Sequence, residues 1–359
     1  MRTNSPDEPP PPERVNHSIS RRRLLKFGLG SAGLVGAATM GVSGARSRAA
    51  QSPGAHSADL HARHLMPTVV GEVDHVKNGF NPTDILTDFD SGTVSTLPSG
   101  QALREYTLIA QNAPIEVVPR LTFEAWTYNG RIPGPTIRVR QGDRVRIKFL
   151  NASDHEHSIH FHGIHPGNMD GVFDAASGVV QPGGRYTYEF DAEPFGTHLY
   201  HCHTTPLAKH ISKGLYGAFI IDPKKGRPKA DHELVMVMSG YDVDFDGKND
   251  FYVVNGIPFH YNHDKNPIRF KVGELVRIYL VNVLEFDPIN SFHLHANFFH
   301  YYPTGTSLKP SEFTDTIALM QGQRGILEFR YKYPGRYMFH AHKTEFAELG
   351  WTGVFLVEA

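Results

Sequence analysis

At 359 residues the chain has room for two domains of ordinary size and an N-terminal extension. Its formal net charge of −1, from 36 Lys and Arg against 37 Asp and Glu, leaves no basic stripe for phosphates and argues against nucleic acid as a partner. With 34 Gly and 25 Pro the composition suits a turn-rich all-β chain better than a helical bundle, and 22 His beside a single Cys stand out.

Residues 1–50 read as a targeting segment. Ser20-Arg21-Arg22-Arg23-Leu24-Leu25-Lys26 precedes a Gly- and Ala-rich run from Phe27 to Val42, the pattern of a twin-arginine export signal. That run is weakly apolar and falls short of the roughly 20 apolar residues a membrane span requires. Cleavage near Ala49-Ala50 and a periplasmic, cell-wall or extracellular destination are expected, with no stable membrane span. Residues 51–104 show no strong period and are expected to form a partly ordered extension, with His61 and His64 as solvated surface histidines. An exported chain with one Cys forms no internal disulfide. Here the Cys sits in Tyr200-His201-Cys202-His203, a context that points to a metal thiolate.

From residue 105 the chain repeats one plan. The first copy runs from Asn129-Gly130 through Pro133-Gly134-Pro135 to Thr136-Ile137-Arg138-Val139 and a Gly142-Asp143 turn. Val145, Ile147 and Phe149 then alternate with Arg144, Arg146 and Lys148, the period of a half-buried antiparallel strand. The second copy has Asn255-Gly256, then Ile268 to Val272, a Gly273-Glu274 turn, and Val276, Ile278, Leu280 and Asn282. The copies are offset by roughly 130–140 residues, one domain plus a linker. Short strands between regular turns predict an all-β fold of two tandem β-sandwiches, at 105–223 and 229–359, with Lys224 to Pro228 as the linker.

Each copy carries two His-x-His units: His160-Phe161-His162 and His201-Cys202-His203, then His293-Leu294-His295 and His340-Ala341-His342. On a strand, residues i and i+2 share a face, so each unit presents two imidazoles side by side. Imidazole alone suits copper, zinc, iron or nickel; a thiolate with two imidazoles is the blue-copper set. Cys202 has His157 and His210 at suitable spacing, and Leu215 falls where an axial Met is expected. A non-coordinating axial residue makes such a site more oxidising. Zinc, the rival metal, closes a structural site with four ligands and gives no use for a His-Cys-His tripeptide, whereas electron transfer does.

At these residues the chain resembles the multicopper oxidases, and within them the two-domain, laccase-like branch, over roughly residues 105–359. The resemblance implies cupredoxin-like Greek-key sandwiches and about four coppers per chain, of types 1, 2 and 3. It assigns His157, Cys202 and His210 to type 1, and His160 and His293 to type 2. His162, His201, His203, His295, His340 and His342 would hold the paired type 3 coppers. The second copy departs from the pattern, with Asn290 where His157 stands and Ala341 where Cys202 stands, so the blue site is expected in domain 1 only. Dioxygen and a small reducing substrate (a phenol, aromatic amine or metal ion) are the implied partners. The implied assembly is a homotrimer with the three-copper cluster shared between subunits, a head-to-tail contact that closes into a ring.

Asp170, just after the first His-x-His-Gly, stands where related oxidases keep a proton-donating carboxylate, and Glu345 and Glu348 are weaker candidates. The other reading of Asp170 is a turn residue before Gly171. Asp242-Val243-Asp244-Phe245-Asp246-Gly247 imitates the start of an EF-hand loop, but Val253 occupies the twelfth position and a plain acidic turn is expected. Copper nitrite reductase is the alternative enzyme; there His203 and the paired second-domain histidines would be without a purpose. Only 8 Met and no Met-rich stretch count against copper storage.

Overall fold

The computed structural model describes residues 72–176, 178–262 and 266–359. The expected signal segment, residues 1–50, lies outside the described residues, and so do His61 and His64 of the expected extension. No helix among the described residues is long and apolar enough to cross a membrane.

Two β-sandwiches follow one another. In the first, one sheet orders the strands Phe89–Asp90, Thr136–Arg140, Tyr216–Asp222, Gly196–His201 and His160–Phe161. Its partner sheet orders Thr93–Thr96, Ala102–Val118, Arg144–Asn151 and Arg185–Asp191, with Leu121–Tyr128 paired to the long strand. The second sandwich sets a six-stranded sheet against a five-stranded one holding Ile268–Lys271, Thr352–Glu358, Gly335–His340, Ile289–Leu294 and Thr316–Met320. In both, the chain crosses repeatedly from one sheet to the other, the wiring of a Greek-key sandwich.

The alternation read from sequence in 144–149 is real: Val145, Ile147 and Phe149 are buried and their neighbours are not. The strand is antiparallel to Arg185–Asp191 but parallel to Ala102–Val118, so the antiparallel expectation holds on one side only. Residues 72–104, within the expected extension, supply two helical turns and two strands that join the sheets of the first sandwich. Asn129-Gly130 and Asn255-Gly256 form matching turns with positive φ at both residues, the geometry that favours Asn-Gly.

Three apolar clusters organise the interior. One fills the first sandwich around Tyr188, Phe161 and Phe219, and another fills the second around Phe292, Phe339 and Trp351. The third lies between the domains, where Leu199, Tyr216 and Ile220 of the first meet Val235, Tyr279 and Val281 of the second. Strand Val276–Asn282 is therefore buried on both faces and loses the alternation seen in its counterpart. Arg138 crosses the seam to pair with Asp222 at 2.8 Å and Glu233 at 2.8 Å. The seam thus sets the strand that carries His201 firmly against domain 2.

Candidate metal centre

Cys202 sits just past the end of strand Gly196–His201, His157 forms a bridge pair with Val180, and His210 lies on the short helix Leu207–Ser212. The Cys202 Sγ is 3.3 Å from His210 Nδ1 and 3.8 Å from His157 Nδ1, and the two Nδ1 atoms are 3.2 Å apart. Leu215 accepts the Cys202 backbone N–H at 3.0 Å, and its side chain is buried in the same cluster as the thiol. Ser158 N–H points at the sulfur at 3.4 Å. Three donor atoms converge in a space closed to water, so burial pushes His157 down to about 3 and His210 down to about 4, while raising the Cys202 thiol. Two inward imidazole nitrogens and a thiol, with no acid between them, fit a soft cation, and two His with one Cys is the donor set copper takes.

The first domain gathers His160, His162 and His201 with donor atoms within 4.8 Å of one another. His162 Nε2 faces His201 Nε2 at 2.8 Å. The His201 Nδ1–H donates to the Cys202 carbonyl at 2.8 Å, which leaves its Nε2 lone pair turned into the cluster. His160 Nδ1–H donates to the Asp170 carboxylate at 2.8 Å and reaches the Asp170 carbonyl at 3.0 Å, which frees its Nε2 likewise. The His203 ring centroid lies 5.2 Å from that of His160, and Ser158 Oγ accepts its backbone N–H at 3.2 Å. Burial, then the neighbouring imidazoles, hold His162 near 3, and burial holds His201 near 4.

The second domain repeats this bond for bond. His295 Nε2 faces His340 Nε2 at 2.9 Å, and His340 Nδ1–H donates to the Ala341 carbonyl at 2.7 Å. His293 Nδ1 bonds Thr316 Oγ1 at 2.8 Å and reaches the Asp315 carbonyl at 3.1 Å. His342 lies 5.1 Å from His293 between ring centroids, and its N–H donates to Ser291 Oγ at 2.8 Å. Beside His293 and His295 opens a groove of about 630 Å³ rimmed by Phe298, Phe313 and Tyr333. Among the described residues, no group draws donors from both half-sites within 4.8 Å. Within one chain His162 instead faces the turn at Gly322, where a Cβ would lie 3.5 Å from its Cε1.

The structure therefore brings His157, Cys202 and His210 into one thiolate site and the other expected ligands into two groups of three histidines, with His203 and His342 beside these groups but outside the donor distance, and sets Asp170 against His160. His165, which sequence reasoning passed over, joins that pair, with its Nε2 3.4 Å from the Asp170 carboxylate. Thr316 and Ser158 were missed too; neither residue type carries a metal signal. Glu345 and Glu348 are exposed around the helix Thr344–Glu348, and Glu345 pairs with Lys343 at 3.6 Å. In the acidic loop the Asp242 carboxylate accepts the N–H groups of Asp246 at 3.0 Å and Gly247 at 2.9 Å, and carboxylate oxygens of Asp242, Asp244 and Asp246 lie within 4.8 Å of one another.

Two family models, both described as multicopper oxidase, match residues 110–226 and 229–359. A crystal structure of a multicopper oxidase superposes with TM-score 0.78 at 60% identity, covering 80% of this chain and 100% of that one. A copper nitrite reductase from Nitrosomonas europaea gives TM-score 0.65 at 28% identity, covering 71% of this chain and 94% of that one. The copper-containing nitrite reductase of Neisseria meningitidis is 32% identical over 239 residues, which are 61% of this chain and 60% of that protein. The matched stretch thus spans about three fifths of that curated relative.

Proposed function

The chain belongs to the multicopper oxidases, and from that premise we propose that it is a laccase-like oxidase coupling one-electron oxidation of a small reducing substrate to reduction of dioxygen to water. The observation that carries this reading is the pair of facing imidazole couples, His162 with His201 and His295 with His340, at 2.8 and 2.9 Å. Bound copper would supply one-electron acceptance at His157, Cys202 and His210 and dioxygen reduction where the two half-clusters gather.

The chain's own groups organise that chemistry. Cys202 lies between His201 and His203, so a covalent path of one residue each way links the thiolate to two cluster ligands. The His201-to-Cys202 carbonyl bond stiffens the His201 arm of that path. Asp170 orients His160, and with His165 forms an acid–imidazole pair that would supply protons where dioxygen is reduced. Four histidines from each domain argue for a cluster completed between subunits, in a homotrimer where domain 1 of one copy meets domain 2 of the next. Export by the twin-arginine route belongs to the same proposal and suits a protein loaded with cofactor before it crosses the membrane.

Nitrite reduction is the second reading, supported by the 32% identity to the Neisseria enzyme. It leaves the facing couple of domain 2 unexplained. Copper analysis, the visible spectrum and oxygen uptake with a phenolic donor separate the two. We expect about four coppers per chain, a blue band and oxygen consumption. One or two coppers with nitrite turnover and no oxygen uptake would sink the oxidase reading.

A further inference from the structure

The segment Ser158-Ile159 runs beside the Cys202 sulfur, and the two domains hold the matching backbone by different means. In domain 2 it belongs to the strand Ile289–Leu294, paired residue for residue with Thr316–Met320, with Ser291 opposite Ala318 and Phe292 opposite Ile317. In domain 1, among the described residues, that ladder shrinks to the bridge of His157 with Val180. The Ser158 N–H turns instead to the Cys202 sulfur at 3.4 Å. A buried segment without a ladder needs other partners for its remaining polar groups.

Two phenols supply them. Tyr128, at the end of strand Leu121–Tyr128, donates its hydroxyl to the Ser158 carbonyl at 2.6 Å, and the Tyr188 oxygen accepts the Ile159 N–H at 2.9 Å. That carbonyl and that N–H belong to one rigid peptide plane, so the phenols grip both its edges. Tyr128, Tyr188 and Ser158 are each 0% exposed, so bulk water replaces neither bond. Burial, then the neighbouring thiol, raises the Tyr128 hydroxyl well above its ordinary value, which keeps it a donor. Domain 2, which lacks the thiolate, lacks both hydroxyls. Tyr128 opens the Asn129-Gly130 turn, whereas Val254 opens the matching Asn255-Gly256 turn. Tyr188 lies opposite Ile147 and Leu327 opposite Ile278, the same place counted from the Gly142 and Gly273 turns. The serine is not what differs: Ser158 Oγ accepts the His203 N–H at 3.2 Å, as Ser291 Oγ accepts that of His342 at 2.8 Å. The phenols therefore go with the sulfur contact and not with the sandwich.

We propose that Tyr128 is a positioning residue of the thiolate site: by holding the Ser158 carbonyl it keeps the Ser158 N–H on the Cys202 sulfur, and so raises the reduction potential of a copper bound there. This rests on the thiolate site of the oxidase reading. His157 is fixed on one side by its bridge to Val180 and the Ser158–Ile159 plane on the other by the phenols, so the N–H between them cannot turn away. A hydrogen bond to the sulfur reduces its electron donation to a cupric ion and favours the cuprous state.

The copper-loaded full chain is titrated without oxygen against a one-electron mediator, so the reading does not depend on what the histidine clusters do with dioxygen. Tyr128→Phe keeps the ring and removes the hydroxyl. It is expected to stay blue, with the band displaced, and to shift the equilibrium about tenfold towards the cupric form, a potential lower by ~59 mV for one electron. Tyr188→Phe, which frees the other edge of the same plane, is expected to shift it in the same direction by about threefold. A purely structural role would lower thermal stability and leave the potential and the band unmoved, and that result overturns the proposal. Should Tyr128→Phe fail to fold or to load copper, Tyr188→Phe decides, and an unchanged potential there overturns it equally. A parent chain with no blue band refutes the thiolate site itself, and the proposal falls with it.

Discussion

The two domains run the same backbone plan and end with opposite interiors. In the first, the Cys202 N–H donates to the Leu215 carbonyl, and the Leu215 N–H reaches the His210 carbonyl. In the second, the Ala341 N–H donates to the Trp351 carbonyl, and the Trp351 N–H to the Phe346 carbonyl. Ala341, Phe346 and Trp351 thus stand where Cys202, His210 and Leu215 stand. Tyr252, whose N–H meets the Leu349 carbonyl, stands where Trp126 does and stacks on Phe346 at 3.7 Å. Donor atoms in domain 1 are replaced by packed rings in domain 2, while the half-cluster histidines are kept in both. Metal sites in this frame are therefore separable: the pocket behind the strand can be filled with hydrocarbon without disturbing the imidazoles on its other face.

The sharpest way to break that comparison is to change the same position in both domains. Cys202→Ser is expected to abolish the blue band and turnover, with copper content falling by about one per chain while the half-clusters stay loaded. Ala341→Ser at the matching place should leave the band intact. It costs only the burial of a hydroxyl, about 1–3 kcal/mol in a denaturant titration. A blue band surviving Cys202→Ser would show that the thiolate site is wrongly assigned.

Next in size is a test of where the half-clusters meet. His162→Ala and His295→Ala should each be inactive alone. In a ring where domain 1 of one subunit meets domain 2 of the next, an equimolar, randomly assembled mixture regains about a quarter of the parental sites, the statistical share of intact pairs. Oxygen uptake after co-refolding or co-expression measures it. No recovery in verified mixed oligomers would mean that each cluster is completed within a chain.

Acid should separate the domains by a smaller margin. His157, His162, His201 and His210 are held by burial near 3 or 4, against an ordinary value of 6.5. Between those values the unfolded chain binds more protons than the folded one, so stability is full above pH 6.5 and falls as pH drops towards 4. The raised Cys202 thiol acts in the opposite direction, and only at alkaline pH. In domain 2, burial lowers His295 and His340 as well. Copper-free protein should therefore lose several kcal/mol between pH 7 and pH 5, chiefly from domain 1. Hydrogen exchange at the two pH values reads this directly, and equal loss of protection in both domains would count against it.

Which parts of this were legible in the sequence follows from how each is encoded. The His-x-His units, Cys202 and the Asn-Gly turns announce themselves because a strand fixes i and i+2 to one face and a tight turn fixes its residue types. The aromatic filling of domain 2 did not, since Phe346 follows Ala341 by five positions whereas His210 follows Cys202 by eight. The shorter connection hides the correspondence until the backbone bonds reveal it. The Tyr128 hydroxyl was silent because a tyrosine in a strand reads as ordinary core. The parallel pairing of Arg144–Asn151 with Ala102–Val118 was silent as well, because alternation reports burial and not strand direction. The supports of His160 and His293 show the same limit. Asp170 lies 10 residues from its histidine and Thr316 lies 23 from its own, so no fixed spacing links the two.

That last difference carries the smallest expected effect. Both residues orient an imidazole through Nδ1, and the loss of such a support typically costs 10- to 100-fold in metal affinity or activity. Asp170 also supplies a charge and sits against His165, so Asp170→Asn should cut turnover by about tenfold to a hundredfold and steepen its pH dependence. Thr316→Val removes only a neutral hydroxyl and leaves the Asp315 carbonyl to hold His293, so a fall below about tenfold is expected, with the pH profile unmoved. Steady-state oxygen uptake against pH for the two variants decides it. Matching profiles would mean that Asp170 only positions His160, and that proton supply to the cluster comes from elsewhere.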